Sequence, residues 1–439
     1  MGKIIHIFPF LPVRISVKVI SFFFSLGTLL FAYRLFKRIS GKGYISILAL
    51  GIFSHLLGYI YLSGSVSYDI FTNFFAMGSI FCLIRFIQER NVFFFLLCIS
   101  FLSLGSISKI TFLPLTAIGG LFLFGYTRKT IFQKKFWIPL FQKTRGYVLL
   151  VSSILFFSLA LHLYGTNIIQ YQRIIPTCGQ VLPNEICEKN HFTQRDRSFE
   201  KNQENIRQSY AYTPISYTFE WLSLMHQKIT GIEVYQKICQ KKEHSVCSLH
   251  SENSFWWKAH IYPPQWFRYI TDFIVVFSLF SSLFFGLATL FKVSLPSWIS
   301  KKIPWKLLGT LFGITIFYMG SIFLVNYHAY LFSGETNMAL HGRYLFPILP
   351  LFCFLIVYYL LIPFPQKIQK YTSFSLFILF CWNALPTFIL HHESKYILTF
   401  HETLLPKGPC SIQEPYCGEL NPEEWEYCPS EHTWKCIEE

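Results

Sequence analysis

The sequence has few charged residues for its length. Only 14% of its 439 residues are Asp, Glu, Lys or Arg, whereas 52% are hydrophobic and 19% are aromatic. Soluble domains carry about 25% charged residues, because water surrounds their surfaces. The composition therefore excludes an ordinary soluble two-domain protein and is typical of a polytopic membrane protein.

The sequence also lacks the short motifs of common soluble enzymes. It contains no P-loop, no Gly-x-Ser-x-Gly turn, no His-Glu-x-x-His motif and no dinucleotide-binding fingerprint. ATPase, hydrolase and dehydrogenase functions of the soluble type therefore have no support. The formal charge of +15 does not indicate a nucleic-acid partner, because the basic residues lie in short connections between apolar segments.

About ten segments are apolar and long enough to be membrane helices, which need roughly 17 to 25 residues. They cover residues 15–36, 43–62, 70–87, 92–108, 111–126, 147–164, 269–291, 307–326, 344–361 and 374–390. The fourth and fifth are short, and they are either two abbreviated helices or a re-entrant hairpin. We predict an all-α polytopic membrane protein with six spans in residues 1–164 and four in residues 269–390.

The distribution of Lys and Arg predicts the orientation, because short basic loops stay in the cytoplasm. Basic connections at residues 34–42, 85–90, 128–145, 292–306 and 367–370 alternate with connections 63–68 and 328–341, which have no Lys or Arg. This pattern predicts that the N-terminus, a large loop at residues 165–268 and a tail at residues 391–439 lie outside the cytoplasm.

The cysteines indicate the same sidedness independently. Those outside the predicted spans are Cys178, Cys187, Cys239 and Cys247 in the loop, and Cys410, Cys417, Cys428 and Cys436 in the tail. Even numbers of cysteines on one oxidising side predict disulfides, with the pairing open. A zinc site is the alternative, but the spacings within the tail are wider than the usual two to four residues.

A polar segment at residues 328–343 interrupts the apolar segments and leads into the ninth predicted span. It holds His328, Glu335, His341 and Arg343, and ionisable groups at the mouth of a membrane helix need water, partners or a ligand. Arg343 can hold a phosphate bidentately, and Glu335 or a histidine can accept a proton from a hydroxyl. The alternatives are a snorkelling arginine and solvated loop residues.

Two more ionisable residues stand at predicted span ends on the external side. Asp69 begins the third span, where a helix N-cap is the favoured interpretation and a polar site at the interface is the functional alternative. Lys109 lies between two apolar stretches. It either snorkels to the headgroups or provides a second cationic contact for a phosphate.

Three stretches of the sequence resemble a known group of proteins. Residues 341–350 (HGRYLFPILP) resemble the QGRYFLPLLP signature of a family of bacterial polytopic membrane proteins that look like members of the GT-C superfamily of lipid-phosphosugar-dependent glycosyltransferases. Residues 65–69 (SVSYD) are similar to the Asn-x-Asp helix start of that family, and residues 104–111 (LGSISKIT) are similar to its LTK turn near the donor phosphate. The large loop and the tail have no counterpart, and His341 replaces the Gln of the signature.

The resemblance implies a GT-C-like fold and an integral glycosyltransferase-like protein of the bacterial inner membrane. It would transfer a sugar from a polyprenyl-phosphate donor to a cell-envelope glycan or lipid, with no cofactor, although a divalent metal stays open. Asp69 and Glu335 would be catalytic, and Lys109, Arg343, His341 and His328 would bind substrate. GT-C enzymes begin with a helix and an acidic external loop that this sequence does not show, so we expect a truncated start, a partner chain that supplies the acid, or inactivity. A transporter or flippase and a non-catalytic envelope scaffold are the alternatives.

Overall fold

The computed structural model describes most of the apolar segments and parts of the loop and tail. The described residues are 13–56, 59, 63, 67–128, 130–142, 144–188, 191–201, 212–230, 232–237, 256–261, 265–291, 304–334, 336, 342–391, 411–413 and 433–435. The chain divides into two compact units. The first comprises Met1–Gly231 and Pro263–Ala384, and the second comprises Ile232–Tyr262 and Leu385–Glu439.

The regular secondary structure that is described in the first unit is helical, and its last helix extends beyond Ala384. The α-helices are α1 (Val13–Ser40), α2 (Gly43–Ser54), α3 (Asp69–Glu89), α4 (Val92–Ser108), α5 (Leu113–Thr127), α6 (Lys134–Phe141), α7 (Thr144–Tyr171), α8 (Cys178–Val181), α9 (Asn184–Glu188), α10 (His191–Lys201), α11 (Pro214–Thr230), α12 (Gln265–Leu290), α13 (Trp305–Ser333), α14 (Leu349–Leu361) and α15 (Gln366–His391). Two short 3₁₀ turns, Ile110–Phe112 and Gly342–Leu345, precede α5 and α14.

The described residues of the second unit include two antiparallel sheets of two strands each. Strand β1 (Ile232–Lys237) pairs with β2 (Trp256–Ile261), and β3 (Ser411–Gln413) pairs with β4 (Thr433–Lys435). The prediction of an all-α chain is therefore too narrow for the loop and the tail. Strands of three to six residues are too short to show the apolar periodicity on which the prediction relied.

Six helical segments are long and apolar enough to cross a membrane. They are Ser16–Ser40, Asp69–Glu89, Ile110–Thr127, Thr144–Tyr171, Tyr269–Ala288 and Trp305–Ser333, and shorter apolar helices cover Gly43–Ser54, Val92–Ser108 and Leu349–Leu361. Large apolar side chains such as Phe22, Leu155 and Phe280 are exposed on their sides, as lipid-facing helices require. The chain is an integral membrane protein whose membrane unit is helical.

The ninth predicted span differs from the structure in its first turns. Residues 342–345 form a 3₁₀ turn, and the α-helix begins only at Leu349. The physical reason is proline, which has no backbone N–H and is tolerated in a helix chiefly at its first turn. Pro350 occupies that first turn of α14, so the backbone carrying Arg343 is a separate turn and not part of the helix.

The connection between α4 and α5 depends on a close approach at Gly105. A Cβ atom at this position would collide with the ring of Phe112, which is fully buried. Phe112 ends the 3₁₀ turn that follows Lys109. The packing of this ring on a glycine therefore fixes where the backbone of Lys109 lies.

Candidate functional site

Three charged side chains from separate parts of the sequence meet at one end of the helices. Asp69 is the first residue of α3, Lys109 follows the last residue of α4, and Arg343 lies in the turn before α14. The Lys109 Nζ atom forms an ion pair with Asp69 Oδ1, and the Arg343 Nε atom lies 3.7 Å from Asp69 Oδ2. The side chains of Asp69 and Lys109 are only 3% and 8% exposed, whereas that of Arg343 is 43% exposed.

The carboxylate of Asp69 has contacts at both oxygens. The Ser67 hydroxyl donates to Asp69 Oδ2 at 3.2 Å and accepts from the Asp69 backbone N–H at 3.2 Å. The N-cap residue of α3 is Tyr68, which makes no side-chain capping hydrogen bond, and Asp69 is the first residue of the helix itself. The N-cap interpretation of Asp69 is therefore wrong, because its oxygens face Lys109, Ser67 and Arg343.

Lys109 is held in a partly aromatic environment. Its Nζ atom lies 5.1 Å from the ring centroid of Tyr68 and 4.6 Å from that of Tyr344, within the range of cation–π attraction. Burial lowers the pKa of Lys109, while the adjacent Asp69 carboxylate opposes that shift and Arg343 adds to it. The snorkelling interpretation of Lys109 is wrong, because a snorkelling ammonium would lie in solvent.

The two turns of the site are joined by a tyrosine in the middle of α13. The hydroxyl of the fully buried Tyr318 lies 2.9 Å from the carbonyl oxygen of Tyr344 and 3.2 Å from that of Thr111. It can donate its proton to either oxygen. Tyr318 therefore fixes the turn beside Arg343 against the turn beside Lys109, and the sequence analysis did not find it.

The remaining predicted site residues are not brought to this cluster. His328 is exposed on α13, and within the described residues it makes no hydrogen bond or ion pair with Asp69, Lys109 or Arg343. Glu335 and His341 lie outside the described residues.

Other charged groups lie at the far end of α3. The Glu89 carboxylate forms an ion pair with Arg85, at 2.7 Å between Oε1 and Nε, and a second ion pair with Arg38. A helix of 21 residues separates its ends by about 30 Å, from a rise of about 1.5 Å per residue. The candidate site and the basic connections around Arg38 and Arg85 therefore lie at opposite ends of this helix.

The cysteines agree in part with the prediction. Cys178 and Cys187 form a disulfide with a Cα–Cα distance of 5.6 Å, which confirms a disulfide in the large loop. The other loop and tail cysteines lie outside the described residues. Among the residues that the structure does describe, no group of three or more His, Cys, Asp or Glu side chains is placed to hold a metal ion.

The fold and the site define an integral membrane protein with a partly buried, net cationic cluster at one end of its helices. No known protein family, curated protein or solved structure matches the chain. The chemistry that the cluster favours is the binding of an anion, because two cations face one carboxylate and the more exposed cation is an arginine.

Proposed function

We propose that the chain is a GT-C-like glycosyltransferase of the bacterial inner membrane, with about ten spans. It would transfer a sugar from a polyprenyl-phosphate donor to a cell-envelope glycan or lipid on the external side. The observation that carries the proposal is the convergence of Asp69, Lys109 and Arg343 at one end of the membrane helices. The positions of the basic connections support an external placement for this end.

Arg343 is the residue that we assign to the donor phosphate. Its side chain is 43% exposed while it stays 3.7 Å from Asp69, so the guanidinium has surface available to a ligand. Its planar fork suits two phosphate oxygens, and such charge-assisted hydrogen bonds are stronger than neutral ones. A cation there would stabilise the phosphate as it leaves the sugar.

Lys109 and Asp69 support Arg343 in this proposal. Lys109 is too buried to contact a headgroup directly in this geometry, but its charge acts across a medium of low dielectric and adds to the positive potential. Asp69 holds both cations in place. Glu335 remains the predicted group that accepts a proton from the acceptor.

A transporter is the less favoured function. A proton-coupled path would place ionisable groups inside the spans and between the two faces. In the part of the chain that the structure describes, the ion pair with both partners buried lies at one end of the helices. This position suits a headgroup site at the interface better than a path across the membrane.

The test uses the full chain in nanodiscs with polyprenyl phosphate and with a polyprenyl-phosphate sugar that carries a radiolabel. Arg343→Ala should weaken polyprenyl-phosphate binding about 10- to 100-fold, the size of lost charge-assisted hydrogen bonds, and should reduce sugar transfer to extracted envelope lipids and glycans. Arg145→Ala is the matched control, because Arg145 is an exposed arginine at the start of α7. Unchanged polyprenyl-phosphate binding by Arg343→Ala would overturn the proposal.

A further inference from the structure

A second candidate site adjoins the turn that carries Arg343. A groove of about 560 Å³ lies between α11, α12, α13 and α14, and most of its lining is apolar. Leu279, Phe312 and Ile316 line it and are each about half exposed, so the groove opens at the side of the helices. Its volume falls within the roughly 300–1,000 Å³ of ligand sites.

The groove has one pair of ionisable groups. The His226 Nε2 atom of α11 lies 3.5 Å from the Asp272 Oδ1 atom of α12, and the two side chains are 35% and 51% exposed. The hydroxyls of Ser278 and Thr315, which also line the groove, donate to carbonyls of their own helices at 2.6 and 2.9 Å. The hydroxyls of Ser282 and Tyr359, which line it too, are hydrogen-bonded to each other. The histidine and the carboxylate therefore give this groove its polar chemistry.

The groove and the cluster around Arg343 share a wall but differ in charge. Leu345 ends the 3₁₀ turn of Arg343 and lines the groove, and α11 packs against the same turn. The half-exposed carboxylate of Asp272 would repel a phosphate, which the Arg343 end attracts. An imidazole beside a carboxylate suits a neutral group that donates and accepts hydrogen bonds, and a hydroxyl does both.

Apolar walls alone do not select a ligand in a bilayer, because the lipid tails outside the groove are equally apolar. Selection must come from the polar pair. We propose that the groove binds the hydrocarbon chain of an uncharged, hydroxyl-bearing lipid whose hydroxyl contacts His226 and Asp272. The role of this lipid rests on the proposed function: it is the sugar acceptor, held beside the phosphate of the donor at Arg343. Its hydroxyl oxygen forms the bond to the sugar as the bond from the sugar to the phosphate oxygen breaks, the phosphate keeps that electron pair, and the hydroxyl proton passes to a carboxylate base.

The test is photo-crosslinking of the full chain in phosphatidylcholine nanodiscs. The probe is a diacylglycerol with a diazirine in one acyl chain, and its comparator is the same probe with the hydroxyl converted to a methyl ether. We expect saturable labelling of α11, α12 and α14 by the diacylglycerol, with about tenfold less labelling by the methyl ether, which cannot donate a hydrogen bond. Equal labelling by both probes would show ordinary bilayer lipid only and would overturn the proposal.

Two variants locate the site. Leu279→Trp should fill the groove and abolish saturable labelling, whereas Leu283→Trp should leave it intact, because Leu283 is 59% exposed one turn along α12 but does not line the groove. Asp272→Asn should reduce labelling several-fold with no change in thermal stability beyond that of Leu283→Trp, since the lipid hydroxyl then donates to a neutral amide oxygen in place of a carboxylate. If neither Leu279→Trp nor Asp272→Asn reduces the labelling, diacylglycerol does not bind in this groove.

The two proposals fail separately. Diacylglycerol labelling in the Arg343→Ala variant should equal that of the unmodified chain, because Arg343 belongs to the donor site. If polyprenyl phosphate does not bind at Arg343 while diacylglycerol labels the groove, the proposed function fails and the groove remains a lipid site. If the phosphate binds and the diacylglycerol does not label the groove, the acceptor site fails.

Discussion

The buried ion pair predicts unequal costs for removing its two partners. Loss of one partner from a buried pair typically costs about 3–5 kcal/mol, because the other charge stays buried without compensation. Lys109→Met leaves Asp69 near Arg343, whose half-exposed side chain can move closer from its 3.7 Å separation. We therefore expect this variant to lose only about 2–3 kcal/mol, below the usual range.

Asp69→Asn should cost more than Lys109→Met. It leaves a buried ammonium and a guanidinium beside each other without a carboxylate, so we expect about 3–5 kcal/mol. The double variant Asp69→Asn with Lys109→Met removes the buried charges together and should lose only about 1–2 kcal/mol, because neutral replacements of buried pairs are often tolerated. The sum of the single losses should therefore exceed the double loss by at least about 3 kcal/mol.

The assay is equilibrium unfolding of the full chain in mixed micelles, analysed as a double-mutant cycle. The control is the exposed pair of Arg197 and Glu188, whose side chains are 46% and 57% exposed at an N–O distance of 3.1 Å. Such surface pairs contribute about 0–1 kcal/mol, so Arg197→Met should change the free energy of unfolding little. The reasoning is refuted if Lys109→Met costs no more than Arg197→Met, or if the double variant loses the sum of the single losses.

Three further measurements test the geometry around this pair. Gly105→Ala should lose about 1–3 kcal/mol of unfolding free energy, because the added Cβ meets the ring of Phe112. Gly120→Ala has open space around the added Cβ and should be neutral or stabilising. Equal effects of the two substitutions would contradict the packing of Phe112 on Gly105. Tyr318→Phe should lose about 1–2 kcal/mol and weaken polyprenyl-phosphate binding, and unchanged binding would show that its hydroxyl does not position the site. Burial lowers the pKa of Lys109, so the Lys109 ammonium holds its proton more tightly in the unfolded chain than in the folded one. The unfolding free energy should therefore rise with pH between the lowered pKa and the ordinary value of 10.5. Lys109→Met should remove this part of the pH dependence, and an identical slope in that variant would contradict the burial of Lys109.

The sequence was informative about which residues carry charge at the ends of the helices. Asp69, Lys109 and Arg343 were each recognisable because an ionisable group beside an apolar span needs a partner or water. Their contact was not predictable, since Asp69 and Lys109 are 40 residues apart and a single sequence carries no record of which helix ends pack together. Tyr318 gave no signal at all, because a tyrosine inside an apolar segment is typical of ordinary core packing.

The polar pair of the groove was missed for a different reason. Asp272 lies in the first turns of the predicted span at residues 269–291. An ionisable group at the end of a membrane helix needs water, a partner or a ligand, so the argument that singled out Arg343 also applies to Asp272. The apolar and polar residues of 216–228 alternate with the period of an amphipathic helix, and the structure has a helix there, α11, which carries His226. What could not be predicted was the docking of α11 on α13, where the Trp221 Nε1 atom donates a 2.9 Å hydrogen bond to Asn326 Oδ1.

The charges of the cluster are suited to the change of charge in the proposed reaction. A polyprenyl-phosphate sugar is a phosphodiester with one negative charge, and the cluster offers two cations against the single carboxylate of Asp69. Transfer of the sugar breaks its bond to the phosphate oxygen, and the phosphate leaves as a monoester with about −1.5 to −2 charge at pH 7. The attraction between the Arg343 guanidinium and the phosphate therefore increases as the bond breaks. This interaction stabilises the transition state more than the bound donor, so it lowers the barrier to transfer. Asp69 keeps that cation in place without cancelling its charge, because Lys109 already balances the carboxylate.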